Sequence, residues 1–199
     1  MTTIITHSIS SLAYAPQEGN ITYYFGPYLY KTNFAGSNSG ANSPNLLSLG
    51  LVVNGDVNEK GSLEIGIFQL NKIYFREDSG LFIGEQTALT HITMGYRRWL
   101  GEYFSTSLTF FSDYSMGSTK IVHSDFAVGS EINTSAKDTT EYGFDFAIQT
   151  ELFSRPNYTV VLDTRYSWSV TNQKNEKADN YGVLLGVRYS IYDKDTNKK

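Results

Sequence analysis

Read at a period of two, the chain resolves into eight segments in which every second residue is apolar or aromatic. That is the pattern of strands with one face turned away from water. The first, residues 20–30, sets Ile21, Tyr23, Phe25 and Leu29 against Thr22, Gly26 and Tyr28. The second, residues 45–54, places Leu47, Leu49, Leu51 and Val53 opposite Ser48 and Gly50. The third begins at Ser62, with Leu63, Ile65 and Ile67 against Glu64 and Gly66. The fourth, residues 87–100, opposes Ile92, Met94 and Tyr96 to His91, Thr93, Gly95 and Arg97. Segment five has Phe104, Leu108 and Phe110 against Ser105, Ser107 and Thr109. Segment six has Tyr142, Phe144, Phe146, Ile148 and Leu152 against Gly143, Asp145, Ala147, Gln149 and Glu151. Segment seven opposes Tyr158, Val160, Leu162, Tyr166 and Trp168 to Thr159, Asp163, Arg165 and Ser167. In the eighth, Tyr181, Val183, Leu185, Val187, Tyr189 and Ile191 face away from Gly182, Gly186, Arg188 and Ser190. None carries a competing helical stripe, so the chain is all-β.

The connections alternate in length. Residues 31–44, 76–86, 115–141 and 171–179 form long links rich in Gly, Ser, Asn and Thr, whereas 55–61, 101–102 and 154–157 are short. Long loops at one end and tight turns at the other predict an up-and-down antiparallel barrel. The apolar link Gly80-Leu81-Phe82-Ile83-Gly84 is expected to fold over the barrel mouth. Residues Lys120 to His123 and Phe126 to Val128 alternate enough to extend strands five and six as a hairpin.

Which face is enclosed decides between a membrane barrel and a soluble one. The polar faces combine Gly26, Gly50, Gly66, Gly95, Gly143, Gly182 and Gly186 with Glu64, Arg97, Asp145, Glu151, Asp163, Arg165 and Arg188. Small residues beside paired opposite charges suit a narrow polar interior. The apolar faces end in aromatics: Tyr158 and Trp168 bracket segment seven, and Tyr181 and Tyr189 nearly bracket segment eight. Aromatic girdles flanking an outward apolar band mark a transmembrane barrel, and about 9–11 tilted residues span the hydrocarbon. The sequence therefore predicts an eight-stranded antiparallel transmembrane β-barrel over residues 20–192, with short periplasmic turns and long extracellular loops. Residues 1–19 form an N-terminal periplasmic segment and residues 193–199 a polar tail. A soluble ligand-binding barrel is the alternative fold.

Composition agrees with this picture. The 199 residues hold 15 Tyr and 12 Phe but only 18% charged residues, fewer than the roughly 25% of soluble domains. Sixteen basic against twenty acidic residues leave a net charge of −4, which lacks the basic footprint of a nucleic-acid binder. The absence of cysteine excludes disulfides and thiolate chemistry. Leu46 to Val53, the longest nearly apolar stretch, is too short for a spanning helix. Met1 to Thr6 lacks the charged start and apolar core of a signal peptide, so a mature chain is expected. Ile4, Ile5, Ile9, Leu12 and Tyr14 are expected to pack on the periplasmic end or enter the lumen.

On these segments the chain resembles the small eight-stranded outer-membrane barrels of Gram-negative bacteria. These include the membrane domain of outer-membrane protein A, outer-membrane proteins X and W, and the lipid-modifying barrels. Gly186, Tyr189 and Ile191 match that family's C-terminal assembly signal, with Leu184 in place of the usual polar residue before the glycine. The chain continues eight residues past Ile191, where family members often stop at an aromatic. The resemblance implies the bacterial outer membrane as location, and outer-membrane lipid and lipopolysaccharide as surroundings. It also implies the barrel assembly machinery as a partner, and an extracellular protein or surface ligand for the loops.

The inward charges are expected to pair, since an isolated charge in a narrow lumen is costly. Glu64 should meet Arg97, Asp145 or Glu151 should meet Arg165, and Arg188 should meet Asp163. Eight strands leave room for little beyond side chains, so a plugged lumen is expected ahead of a pore. His7, His91 and His123 form no metal-ligand cluster, and neither metal nor cofactor is called for. His91 near the outer rim and the run His123-Ser124-Asp125 are the candidates for a lipid-modifying enzyme. Three adjacent loop residues rarely supply nucleophile, base and orienter geometry. The expectation is a non-enzymatic outer-membrane barrel, structural or adhesin- or receptor-like through its loops. A narrow pore is the second reading and a lipid-modifying enzyme the third.

Overall fold

The computed structural model describes residues 14–35, 41–155 and 158–191. The expectations for Ile4, Ile5, Ile9, Leu12 and the tail 193–199 fall outside that range. Eight long strands carry the fold: β1 (Ile21–Thr32), β2 (Leu46–Asn58), β3 (Gly61–Asp78), β4 (Leu81–Trp99), β5 (Phe104–Ser115), β7 (Thr140–Arg155), β8 (Tyr158–Ser169) and β10 (Asn180–Ile191). Two short strands, β6 (Lys120–Ser124) and β9 (Glu176–Lys177), belong to the connections at the loop end. Each long strand lies antiparallel to the next, and β10 returns to β1 from Ile21↔Ile191 to Thr32↔Asn180. The sheet is thereby closed. A closed sheet satisfies its backbone hydrogen bonds internally, which is the condition for strands to cross hydrocarbon.

Side chains divide as the period of two requires. Leu47, Leu49, Met94, Leu108 and Trp168 stand 56–69% exposed on the outer wall, while Glu64, Arg97 and Asp163 are wholly buried inside. The barrel is thus apolar outside and charged inside, the reverse of a soluble one. Tyr158 and Tyr189 point outward near the turn end, and Trp168 and Tyr181 near the loop end. Tyr23 joins the lower girdle by stacking on Tyr189 at 5.5 Å. Inside, glycines make room for rings: a Cβ on Gly182 would lie 2.5 Å from the Tyr28 ring, and one on Gly143 would lie 2.4 Å from Phe111.

The expected long link over residues 76–86 is corrected. β3 and β4 continue as a tall hairpin, paired up to Asp78↔Leu81 and closed by Ser79-Gly80 alone. Both turn residues have positive φ, 53° and 81°, the geometry whose twist matches that of flanking strands. The segment Gly80 to Gly84 rises as strand rather than folding over the mouth, with Ile83 pointing inward and fully buried. On the hairpin's outer side Phe34 stacks on Phe75 at 4.1 Å, and Ala41 and Ile73 complete a small apolar cluster. The expected hairpin extension of strands five and six is also corrected: Lys120–Ser124 forms β6 alongside β4, from Gln86↔Lys120 to Ile83↔Ser124, and Phe126 to Val128 form no strand.

The outward assignment has a direct energetic consequence. Leu108→Arg puts a guanidinium against lipid and should lower stability by about 2–4 kcal/mol, read as the urea-unfolding midpoint of the chain refolded in vesicles. A midpoint equal to wild type would contradict a lipid-facing Leu108.

Candidate functional site: the charged lumen and its cover

The inward faces of β3, β4, β7 and β8 bring five charges to one level. Arg97 donates through Nε to Glu64 at 2.5 Å and through Nη2 to Asp163 at 2.7 Å. Arg165 donates to the other Glu64 oxygen at 2.8 Å, and its Nε lies 2.8 Å from Asp163 Oδ1. Asp145 is 3.7 Å from Arg165. Tyr24, from the opposite wall, donates its hydroxyl to Asp163 at 2.7 Å, and Ser105 accepts from Arg97 at 2.8 Å. Two guanidiniums thus alternate with two carboxylates across the lumen. Glu64–Arg97 and Asp145–Arg165 join neighbouring faces, while Arg97–Asp163 and Glu64–Arg165 cross the barrel.

The expected contact of Arg188 with Asp163 is not made. Arg188 lies opposite Thr159 in the ladder, one level nearer the turn end, and its guanidinium donates to Glu151. It also packs over the rings of Tyr14 at 4.5 Å and Trp99 at 5.3 Å. Tyr14 enters the barrel here and donates to Asp56, which also accepts from Ser62 at 2.6 Å. Gly186 lies inward against the Tyr24 ring, and Ile191 points outward at 57% exposure.

A second polar layer lies toward the loop end, and the sequence reading missed most of it. Lys72 donates to Glu141 at 2.7 Å and to Asp113 at 3.3 Å. Tyr74 donates to Glu141 at 2.5 Å. His91 lies between Asp113 (2.5 Å) and Asp145 (3.2 Å), so it links this layer to the one below. Both ring nitrogens therefore face carboxylate oxygens, one in each layer. Continuing the period of two past the apolar stripes would have found Lys72, Tyr74, Asp113 and Glu141, each an even number of residues from an inward neighbour.

Above this layer the loops cover the opening. A 3₁₀ turn, Ser135–Lys137, packs Ala136 against Tyr74 and Ala178. Thr134 donates to Glu85 at 2.7 Å, and the Ser135 amide donates to Glu176 at 2.8 Å. Arg76 reaches the Asn133 carbonyl and the Gln173 side chain, both at 2.5 Å. Burial under this cover pushes the Glu176 carboxyl above the usual glutamate range. The loop candidates for nucleophilic chemistry lie elsewhere. His123 Nε2 lies 3.1 Å from Asp125 Oδ1, while Ser124 Oγ accepts from the Phe126 amide at 3.2 Å. His91 is buried in the lumen, so the structure does not bring it together with Ser124 on the exposed β6.

One stretch of wall is not closed by strand pairing. The β2–β3 ladder stops at Gly50↔Phe68, above which β2 stays with β1 and β3 with β4. The freed β3 edge is held by side-chain groups up to Ile73, above which β9 pairs with it at Phe75 and Arg76. Ser48 donates to the Gln69 carbonyl, Thr32 donates to the Ile73 carbonyl at 2.8 Å, and the Asn71 amide donates to the Tyr30 hydroxyl at 2.6 Å.

Solved structures share this architecture. The outer membrane protein OprG from Pseudomonas aeruginosa superposes with a TM-score of 0.52 at 9% identity, over 90% of this chain and 99% of that one. The chain has the fold of the small outer-membrane β-barrels. Ail, the attachment invasion locus protein of Yersinia pestis, superposes at 0.49 with 12% identity, over 87% of this chain and 100% of that one, in a complex with the heparin analogue sucrose octasulfate. No family model and no curated protein matches the sequence.

The crossed ion pairs can be tested by a double-mutant cycle. Arg97→Met leaves Glu64 and Asp163 sharing one guanidinium and should cost about 3–5 kcal/mol, the usual penalty for breaking a buried pair from one side. Adding Glu64→Gln should restore part of that loss in urea unfolding. Strictly additive effects would mean that the two groups do not interact.

Proposed function

We propose that the protein is a non-enzymatic barrel of the bacterial outer membrane that acts at the cell surface through its tall hairpin and loops, with its lumen closed to solutes. The observation that carries this reading is the filled interior. Two crossed guanidinium–carboxylate sets, the Lys72–Asp113–Glu141–His91 layer and the 3₁₀ cover lie one above another along the axis. An eight-stranded barrel has little width beyond its side chains. What is left for interaction with other molecules is the raised β3–β4 hairpin, β6 and the loops around them. Outer-membrane lipid, lipopolysaccharide and the barrel assembly machinery are the partners this location entails, and an extracellular protein or surface ligand is the partner of the loops. A non-enzymatic role is favoured by the fixed position of His91 between two carboxylates and by its separation from Ser124.

A narrow gated pore for ions or small solutes is the second reading. One observation favours it: the 3₁₀ turn of the cover is held through the side chains of Arg76, Glu85 and Glu176, and among the described residues the only ladder beside it is the two-residue pairing of β9 with β3.

Conductance of the refolded chain in a planar lipid bilayer tests the choice. The inserted barrel should remain silent, and lipopolysaccharide or phospholipid incubated with it should keep its mass. Discrete current steps that shift in Glu64→Gln would establish the pore instead, and a change in lipid mass would establish the enzyme.

A further inference from the structure

The break between β2 and β3 opens a groove of about 370 Å³ on the outer wall. Its sides are Leu47, Leu49, Ala88, Leu89 and Met116, and its polar rim is Ser48, Gln69, Asn71 and Thr90. Gln69 and Asn71 are exposed amides on a face that lower down carries only Leu63, Ile65 and Ile67.

The height of the groove is fixed by register. Gln69 lies opposite Thr90, and Thr90 opposite Tyr114, an outward aromatic near the loop end of β5. Outward aromatics at that end of a barrel mark the boundary between hydrocarbon and headgroups. The rim therefore stands where the ester or amide linkages of outer-leaflet lipids lie, and Leu47 and Leu49 line a wall open to their chains. Backbone that leaves its ladder at membrane depth is tolerated only where its polar groups find other partners. Ser48, Tyr30 and Thr32 supply those partners on the β3 edge, so the break is a finished feature of the wall rather than a frayed one.

We propose that this groove is a binding site for one outer-leaflet lipid, an acyl chain lying along Leu47, Leu49, Ala88 and Met116 with its carbonyl linkage hydrogen-bonded by the amides of Gln69 and Asn71. The occupant is set by the location, because Leu47, Leu49, Gln69, Asn71, Ala88 and Thr90 all belong to the outward, lipid-facing sides of their strands. The site rests on the membrane reading of the barrel and refines what that reading requires of one patch. It assigns the polar outward residues of β3 a role that a uniform lipid-facing surface does not need.

The test is native mass spectrometry of the full chain, inserted into nanodiscs of phosphatidylethanolamine and phosphatidylglycerol and released into detergent. Wild type should retain one phospholipid per barrel. Ala88→Trp, whose indole fills the groove from an exposed position, should lower the retained fraction at least fivefold. Gln69→Leu with Asn71→Leu should lower it several-fold while leaving the apolar sides intact, which separates recognition of the linkage from simple filling. Leu152→Trp, on β7, should retain the lipid as wild type does. Heat-modifiable gel migration checks that each variant is folded, and Met116→Trp replaces Ala88→Trp if the latter is not. Equal retention in wild type and the groove variants, or no lipid on an inserted wild-type barrel, overturns the site and leaves the membrane reading standing. A chain that fails to enter nanodiscs overturns both.

Discussion

Every strand in hydrocarbon must have the backbone groups of both edges satisfied, and this chain meets that constraint chiefly by pairing β10 back onto β1. Closure dictates the rest of the architecture. It forces every side chain either outward into lipid or inward into a lumen of fixed width. The outward set is then apolar because lipid is apolar. The inward set has to fill a narrow space without leaving a charge alone. Opposite charges set face to face, with glycines where rings need room, meet both demands. The Glu64–Arg97–Asp163–Arg165 arrangement is the clearest case, since each guanidinium bonds two carboxylates and each carboxylate two guanidiniums.

The ion pairs also account for the layered interior. Tyr14, Asp56, Trp99, Arg188 and Glu151 close the turn end. The crossed guanidiniums fill the middle, and Lys72 with Asp113, Glu141 and His91 fills the space below the cover. Buried pairs of this kind add little net stability over well-packed apolar residues, because desolvation offsets most of their attraction. Their value here lies in specificity. A strand slipped by one residue would turn charges onto lipid and apolar residues onto charges, so the lumen network and the outer band hold the same register.

Much of this was legible in the alternation. It places Glu64, Arg97, Asp145, Glu151, Asp163, Arg165 and Arg188 on one face, and all seven are buried in the lumen. Their partners were harder to read. Neighbouring strands were the only guide, whereas Arg97–Asp163 and Glu64–Arg165 span the barrel, and the β7 irregularity between Glu151 and Phe153 shifts levels near Arg188. The hairpin over residues 76–86 was missed because loop-like composition outweighed the Ser-Gly turn signal. The cover was invisible for another reason: Thr134, Ser135 and Ala136 are small loop residues whose role comes only from the mouth they happen to close. The wall groove depends on where one ladder stops, which no periodicity records.

The apolar wall and the proposed closure of the charged interior are directly measurable in this chain, because it has no native cysteine. Single cysteines placed at positions 144 to 149 of β7 would be probed in vesicles with a lipid-soluble and a water-soluble thiol reagent. The lipid-soluble reagent alone should react at Phe144, Phe146 and Ile148, with protection from both reagents at Asp145, Ala147 and Gln149. Labelling of the second set by the water-soluble reagent would mean an open lumen, and loss of the alternation would contradict the barrel wall itself.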